Sequence, residues 1–206
     1  MAVLAGVATM SSGPGTASEQ TLRTLNFNDD VGSEGRPATR RLFDLFVQGD
    51  VGVTRYIALG VHASRARNYT TGRLAHPSDP RLNSDITADH RVMTTAFLAS
   101  VRPTNWLTVG VGPALYKVGV TLRGAARSDV RPLNETLAGS LFSSTLVFRR
   151  QDPYFGALVV QYRGIGSVDT PLSVIPTTGP PGTVTWPASS VRFSHWFLGV
   201  GGGIGF

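Results

Sequence analysis

The chain has 206 residues, no cysteine, 24 glycines, 13 prolines and a net charge of +6 that is almost entirely arginine, with Lys117 the only lysine. No run of about 18 apolar residues occurs, which excludes a transmembrane helix, and the glycine and proline content favours turns and strands. A mean hydropathy near zero does not exclude a membrane, because a barrel wall alternates apolar and polar positions and averages out.

Met1 to Met10 is apolar but lacks a positive leading segment and a small-residue cleavage site. We read Ala2 to Met10 as a first strand, with Met1 a late start or a trimmed boundary. The competing reading is a degenerate signal peptide ending near Ala17. A polar stretch without period follows to Thr39. Arg40 to Val53 then alternates, with Phe43, Leu45 and Val47 on one face and Asp44, Phe46 and Gln48 on the other. Thr54-Arg55 is a tight connection to Tyr56 to Arg65, where Ile57, Leu59, Val61 and Ala63 oppose Ala58, Gly60, His62 and Ser64.

Ala66 to Asp85 reads as a loop, with Pro77 and Pro80 against a central strand. Ile86 to Arg102 is the fourth strand, with Met93, Thr95, Phe97, Ala99 and Val101 on its apolar face. Trp106 to Leu122 returns as the fifth, with Leu107, Val109, Val111 and Leu115 together. Thr54 to Val61 and Thr104 to Val111 repeat one turn-aromatic-strand pattern. Arg123 to Glu135 reads as a loop and Thr136 to Arg149 as a strand whose faces are ambiguous, since Ser and Thr occupy both. Tyr154 to Gly164 is the seventh strand, with Leu158, Val160 and Tyr162 opposite Gln161 and Arg163. Ser167 to Pro187 is a proline-rich loop.

The last strand is the most informative. Trp196, Leu198, Val200, Gly202, Ile204 and Phe206 share one face, while the other carries Phe197 and then only glycine. Ten residue steps at about 3.3 Å, tilted about 40°, rise roughly 25 Å, the height of the lipid-facing band of an outer-membrane barrel. Connections alternate long and short along the whole chain, giving short turns at one end and long loops at the other. With Phe206 in the periplasm, Tyr56, Trp106 and Tyr154 all fall at the periplasmic interface, where amphipathic aromatics are favoured. No charged residue stands on the apolar parities of Phe43 to Val47, Ile57 to Ala63, Met93 to Val101, Leu107 to Leu115 and Trp196 to Phe206.

The terminal aromatic with apolar residues at alternate positions before it resembles the C-terminal signal of bacterial outer-membrane β-barrels. The strand pattern resembles the small barrels typified by outer-membrane proteins A, X and W. The resemblance implies an all-β, eight-stranded, antiparallel up-and-down transmembrane barrel in the outer membrane of a Gram-negative bacterium. It also implies recognition by the barrel assembly machinery through the last strand. Residues 1–206 form one domain on this reading, with strand 1 at about 2–10 and strands 2–8 at about 40–206. A soluble barrel with a ligand inside would show the reverse polarity.

The expected lipid-facing residues are Leu107, Val109, Val111, Trp196, Leu198, Val200, Ile204 and Phe206. The lumen should hold Asp44, Phe46, Gln48, His62, Arg102, Gln161, Arg163, His195 and Phe197, accommodated by Gly199, Gly201, Gly203 and Gly205 across it. A plug of fixed polar groups and a narrow gated pore are both compatible with that set. His62-Ala63-Ser64 resembles the His-x-Ser pairing of an outer-membrane lipid A deacylase, but the pair falls on the lumen parity, with no acidic partner identifiable. The four histidines are too dispersed for a metal site, and no cofactor is expected.

The arginines cluster around the second and third long loops: Arg65, Arg67, Arg73, Arg81 and Arg91, then Arg123, Arg127 and Arg131. Guanidinium forks match phosphate geometry, and the outer leaflet presents lipopolysaccharide phosphates at this level. Arg65, Arg67, Arg73, Arg81, Arg123, Arg127 and Arg131 are therefore the lipopolysaccharide-contact candidates, against the alternative that they are solvated loop charges. That placement weighs against nucleic acid as the partner of so basic a chain. The expectation is a monomeric, non-enzymatic barrel with a structural or surface-interaction role. The alternatives are a channel for small solutes or hydrophobic compounds and a lipid A-modifying enzyme.

Overall fold

The computed structural model describes residues 1–10, 38–41, 44–74, 84–124, 129–130, 133–151, 153–170, 173–175, 184–185 and 189–205. Its strands are β1 (Ala2–Met10), β2 (Ala38–Arg41), β3 (Asp44–Gly52), β4 (Ile57–Leu74), β5 (Ser84–Thr104), β6 (Leu107–Gly124), β7 (Asp129–Val130), β8 (Leu133–Gln151), β9 (Tyr154–Gly164), β10 (Ser167–Thr170), β11 (Ser173–Ile175), β12 (Val184–Thr185), β13 (Ser189–Arg192) and β14 (His195–Gly205). Eight of them close a barrel in the order β1, β3, β4, β5, β6, β8, β9, β14 and back to β1, every pair antiparallel. β2 continues the β3 line upward along β4.

Closure comes with a stagger. From Gly52 the paired residues run through Ala58, Ser100, Gly110, Ser143, Gln161 and Phe197 to Met10, although β1 enters beside β3 with Ala2 at Asp50. One circuit therefore climbs about ten residues, the offset that tilts the strands of a closed eight-stranded sheet by about 40°.

At the lower rim the connections are tight. Val53 and Thr54 N–H both donate to the Ile57 carbonyl at 2.9 and 3.1 Å. The Thr54 hydroxyl accepts from Tyr56 and Ile57 N–H at 3.2 and 3.0 Å, so the side chain closes the turn that the backbone begins. Arg102, Val147 and Gly205 N–H donate to Tyr56, Trp106 and Pro153 carbonyls, each at 2.8 Å, and seal this rim. Tyr56, Trp106 and Tyr154 stand exposed around it.

Burial alternates as a barrel requires. Leu59, Phe97, Val111, Leu146, Leu198 and Val200 are exposed on the outer wall, whereas Phe46, His62, Thr94, Tyr116, Gln161 and Phe197 are buried inside. β8, ambiguous from its sequence, resolves with Leu141, Ser143 and Thr145 inward and Phe142, Leu146 and Phe148 outward.

Three expectations about extent are corrected. Residues 66–74 and 84–85 are not loop: β4 and β5 stay paired from Ile57↔Val101 up to Leu74↔Ser84. The sequence of 66–74 shows no apolar alternation, so the backbone pairing alone marks it as strand. Likewise β7 and the start of β8 fall inside the stretch read as the third loop. The proline-rich fourth loop contains β10, β11 and β12, with β11 pairing to β7 across two loops. The polar stretch 11–37 lies outside the described residues.

The outer wall is a lipid-facing surface only if a charge there is costly. Val200→Arg, in the middle of β14, should lower the folding free energy in vesicles by about 2–4 kcal/mol. A urea titration of refolding, with a heat-modifiability gel to count the folded species, measures it; an unchanged midpoint would mean that this wall faces water.

Candidate functional site in the lumen and on the outer wall

The lumen is filled across its middle. Phe46 stacks on His62 with ring centroids 6.2 Å apart and meets Phe197 edge-on at 5.8 Å. Glycine on the opposing strands makes this possible. A Cβ at Gly199 would come within 2.8 Å of the Phe46 ring, and one at Gly203 would collide with the Phe155 ring. A Cβ at Gly201 would collide instead with the backbone of Ala5 on β1, so this glycine serves strand approach rather than ring packing. No ring meets the place of a Gly205 Cβ, which would touch only the Pro153 carbonyl oxygen at 3.8 Å.

Polar groups complete the layer. Gln161 Nε2 donates to Ser143 Oγ at 3.3 Å and to His62 Nδ1 at 3.2 Å, which requires the Nε2-protonated imidazole. Arg163 Nη2 donates to Ser64 Oγ at 2.7 Å and to Gln161 Oε1 at 3.4 Å. The guanidinium carbon stands 3.9 Å from the centre of the Phe197 ring, a close cation–π contact in a buried place. Above it the Tyr116 hydroxyl donates to the Ser140 carbonyl at 2.6 Å and His195 Nδ1 donates to the Phe193 carbonyl at 2.8 Å. Phe46, Gln48, His62, Gln161, Arg163, His195 and Phe197 are all buried within the barrel, and Arg102 is half-buried near the lower rim. The Asp44 side chain lies outside the described residues. His62 and Ser64 face this interior and are engaged by Gln161 and Arg163, not presented to the lipid.

The outer wall carries a second arrangement. Each apolar run on β4, β5 and β6 ends upward in a cation on the same face. Ala63 is followed by Arg65 and Arg67, Met93 by Arg91, and Leu115 by Lys117. Register aligns them: Arg65 pairs with Met93 and Met93 with Lys117, while Arg67 pairs directly with Arg91. Two cations directly opposed across a strand pair repel. Asp89 sits between them and resolves it. Arg67 grips it in bidentate fashion, Nε to Oδ1 at 2.9 Å and Nη2 to Oδ2 at 2.6 Å, and Arg91 Nη2 donates to Oδ2 at 2.9 Å. The carboxylate is wholly covered, while the Arg67 and Arg91 side chains keep 27% and 42% of their exposure. Burial alone would raise the Asp89 carboxyl, but hydrogen bonds from the two guanidiniums, and then their charges, hold it down at about 2. Arg65 and Lys117 are exposed and have no carboxylate partner among the described residues.

Of the residues expected to face lipid, Val111, Trp196, Leu198, Val200 and Ile204 are exposed on the outer wall, Leu107 and Val109 are half-buried on the same face, and Phe206 lies outside the described residues. Of the arginines expected to meet phosphate, Arg65 and Arg67 stand in this outer cluster. Arg73 and Arg123 fall in the upper parts of β4 and β6, with side chains outside the described residues. Arg81, Arg127 and Arg131 are outside them altogether. Sequence reasoning missed Lys117 and Asp89. Their parity with Leu115 and Met93 was the available signal.

A closed antiparallel barrel with an apolar exterior below its upper cations, aromatics at its lower rim and polar groups inside is a small eight-stranded outer-membrane β-barrel, and its place is the Gram-negative outer membrane. The chain is similar to several solved structures. The outer membrane protein OprG of Pseudomonas aeruginosa superposes with a TM-score of 0.57 at 12% identity, over 98% of this chain and 93% of that one. The outer membrane protein W of Escherichia coli gives 0.46 at 15%, over 99% and 97%. Ail, the attachment invasion locus protein of Yersinia pestis, gives 0.42 at 10%, over 98% and 95%. No protein-family model matches the chain, and no curated protein matches it by sequence.

Two measurements check these sites. Gly199→Val should destabilise the barrel by roughly 1–3 kcal/mol through overpacking against Phe46, and Phe46→Ala in the same chain should recover part of that loss, seen as a non-additive pair of urea midpoints. Asp89, depressed from 3.8 to about 2 on folding, stabilises the protein above the unfolded value, and this contribution disappears as pH falls through about 2. Acid titration between about pH 4 and pH 2 should therefore weaken the wild type more steeply than Asp89→Asn, which lacks the titrating group.

Proposed function

We propose that this barrel is a surface-interaction protein of the outer leaflet that holds lipopolysaccharide phosphates on its outer wall, without catalytic activity. The observation that carries the reading is the outer cluster of Arg65, Arg67, Arg91 and Lys117 directly above the lipid-facing residues of three adjacent strands. Cations placed lower would meet hydrocarbon at a cost of about 2–4 kcal/mol, and cations placed much higher would stand in water, where salt screens them. At this height they meet the headgroups. Guanidinium supplies forked donors to phosphate oxygens, and the lysine supplies a point charge. Arg73, Arg81, Arg123, Arg127 and Arg131 remain candidates for the same chemistry on the sequence alone.

The filled lumen supports a surface role over conduction. Phe46, Phe197, His62, Gln161 and Arg163 occupy the middle of the barrel in mutual contact. The protein's remaining partners on this reading are the surrounding lipid and, during insertion, the assembly machinery that reads β14; the folded barrel acts as a monomer.

Refolding into vesicles with and without lipopolysaccharide tests the reading. The thermal midpoint should rise with lipopolysaccharide, and the rise should shrink at high salt and in the Arg65→Gln/Lys117→Gln variant. An equal midpoint in both vesicles, or a rise indifferent to salt, would sink it.

A further inference from the structure

We infer that the outer cluster recognises a glycolipid headgroup bearing two separated phosphates, and that Asp89 positions its upper cations. The inference rests on the lipopolysaccharide reading above and gives it a ligand geometry. Arg65 and Lys117 are the two exposed members, and they flank Met93 in one continuous row, Arg65↔Met93↔Lys117. Two strand spacings separate them, about 10 Å between their backbones. Between them stands an exposed Met93, which carries no charge and offers an apolar saddle. One phosphate reaches both cations only if their side chains lean across Met93, which stands exposed in that space. A two-sugar core with a phosphate at each end can place one on each cation and rest its middle on the methionine.

The second row fixes orientation. Arg67 and Arg91 lie one outward-facing position higher on β4 and β5, both tied to the buried carboxylate of Asp89. Their guanidiniums are thereby held side by side instead of splaying apart by repulsion, with an edge still open to solvent. Gly119 is the β6 partner of Arg91 and puts no side chain of its own beside it above Lys117. The upper row therefore faces the β4 side of the saddle as a preset donor surface, while Lys117 stands alone on the β6 side. Asp89 reduces the total positive charge of the cluster. Its place there makes sense as a device for geometry, since charge attraction alone would be better served without it.

The test uses the full chain refolded in detergent micelles and then titrated with three lipids: lipid A with two phosphates, its monophosphoryl form, and phosphatidylglycerol. Native mass spectrometry counts bound lipid, and heat-modifiability gels confirm that each variant is folded. The two-phosphate form should bind at least tenfold more tightly than the monophosphoryl form. Arg65→Gln and Lys117→Gln should each bring the two-phosphate form down to the monophosphoryl level. Asp89→Asn, although it adds net positive charge, should lose most of the preference.

Equal binding of the one- and two-phosphate lipids, both above phosphatidylglycerol, would overturn this inference and leave the lipopolysaccharide reading standing. Equal binding of all three would overturn both. Tighter binding of every lipid to Asp89→Asn with an unchanged preference would remove Asp89 from the positioning role.

Discussion

Inside hydrocarbon a backbone N–H or C=O has no water to bond with, so a strand at the edge of a sheet cannot be left open. The pairing of β1 with β14 satisfies that constraint, and the rest of the architecture follows from it. Ala2 to Met10 must lie beside the last strand in an unbroken ladder of partners down to Ala2↔Gly205. Gly6 faces Gly201 in that ladder, and a Cβ on Gly6 would collide with the Val200 carbonyl. The glycines of this seam therefore serve two ends at once. They let the closing strands approach, and on the lumen side they vacate the volume that Phe46 and Phe155 fill.

Closure also fixes where polar groups can go. An eight-stranded barrel of this stagger has an interior just wide enough for side chains to meet in the middle. Phe46 on β3 can therefore reach Phe197 on β14, and Arg163 on β9 can reach Ser64 on β4. A guanidinium in such a place needs acceptors and a polarisable surface, and it finds Ser64, Gln161 and the face of Phe197. The buried polar layer and the apolar exterior are two consequences of one alternation, read from opposite sides of the wall.

That alternation is what made the fold legible. Within the membrane every second residue meets lipid, and β3 to β6, β9 and β14 announce their faces through Leu45, Leu59, Phe97, Val111, Tyr162 and Leu198. β8 was opaque because Ser143 and Ser144 look alike in sequence while one is buried inside and the other half-exposed on the wall. Higher up the signal stops, because residues 66–74 do not alternate apolar with polar positions and only backbone pairing marks them as strand. Tyr69, Thr71 and Arg73 read as loop although their strand is fully paired. The outer cluster sits at that boundary, so its arginines could be found as a cluster but not as a row. Asp89 was hidden because the partner that grips it in bidentate fashion, Arg67, lies 22 residues away in sequence.

The cluster's asymmetry carries the last step. On β4, β5 and β6 the apolar face ends upward in Arg65, Arg67, Arg91 and Lys117, whereas on β9 and β14 it ends in Tyr162 and Trp196, rings 5.1 Å apart. Both solutions suit an interface between hydrocarbon and headgroups, but they suit different neighbours. Aromatic rings sit between chains and headgroups without regard to headgroup charge, while cations require an anion to be favourable there. A barrel adapted only to staying at the right depth could use aromatics all round. Among the described residues, the cations of this upper outer wall stand on three adjacent strands, and a covered carboxylate orders two of them. Depth alone does not require that arrangement; it fits the anionic headgroup proposed above for one side of the barrel.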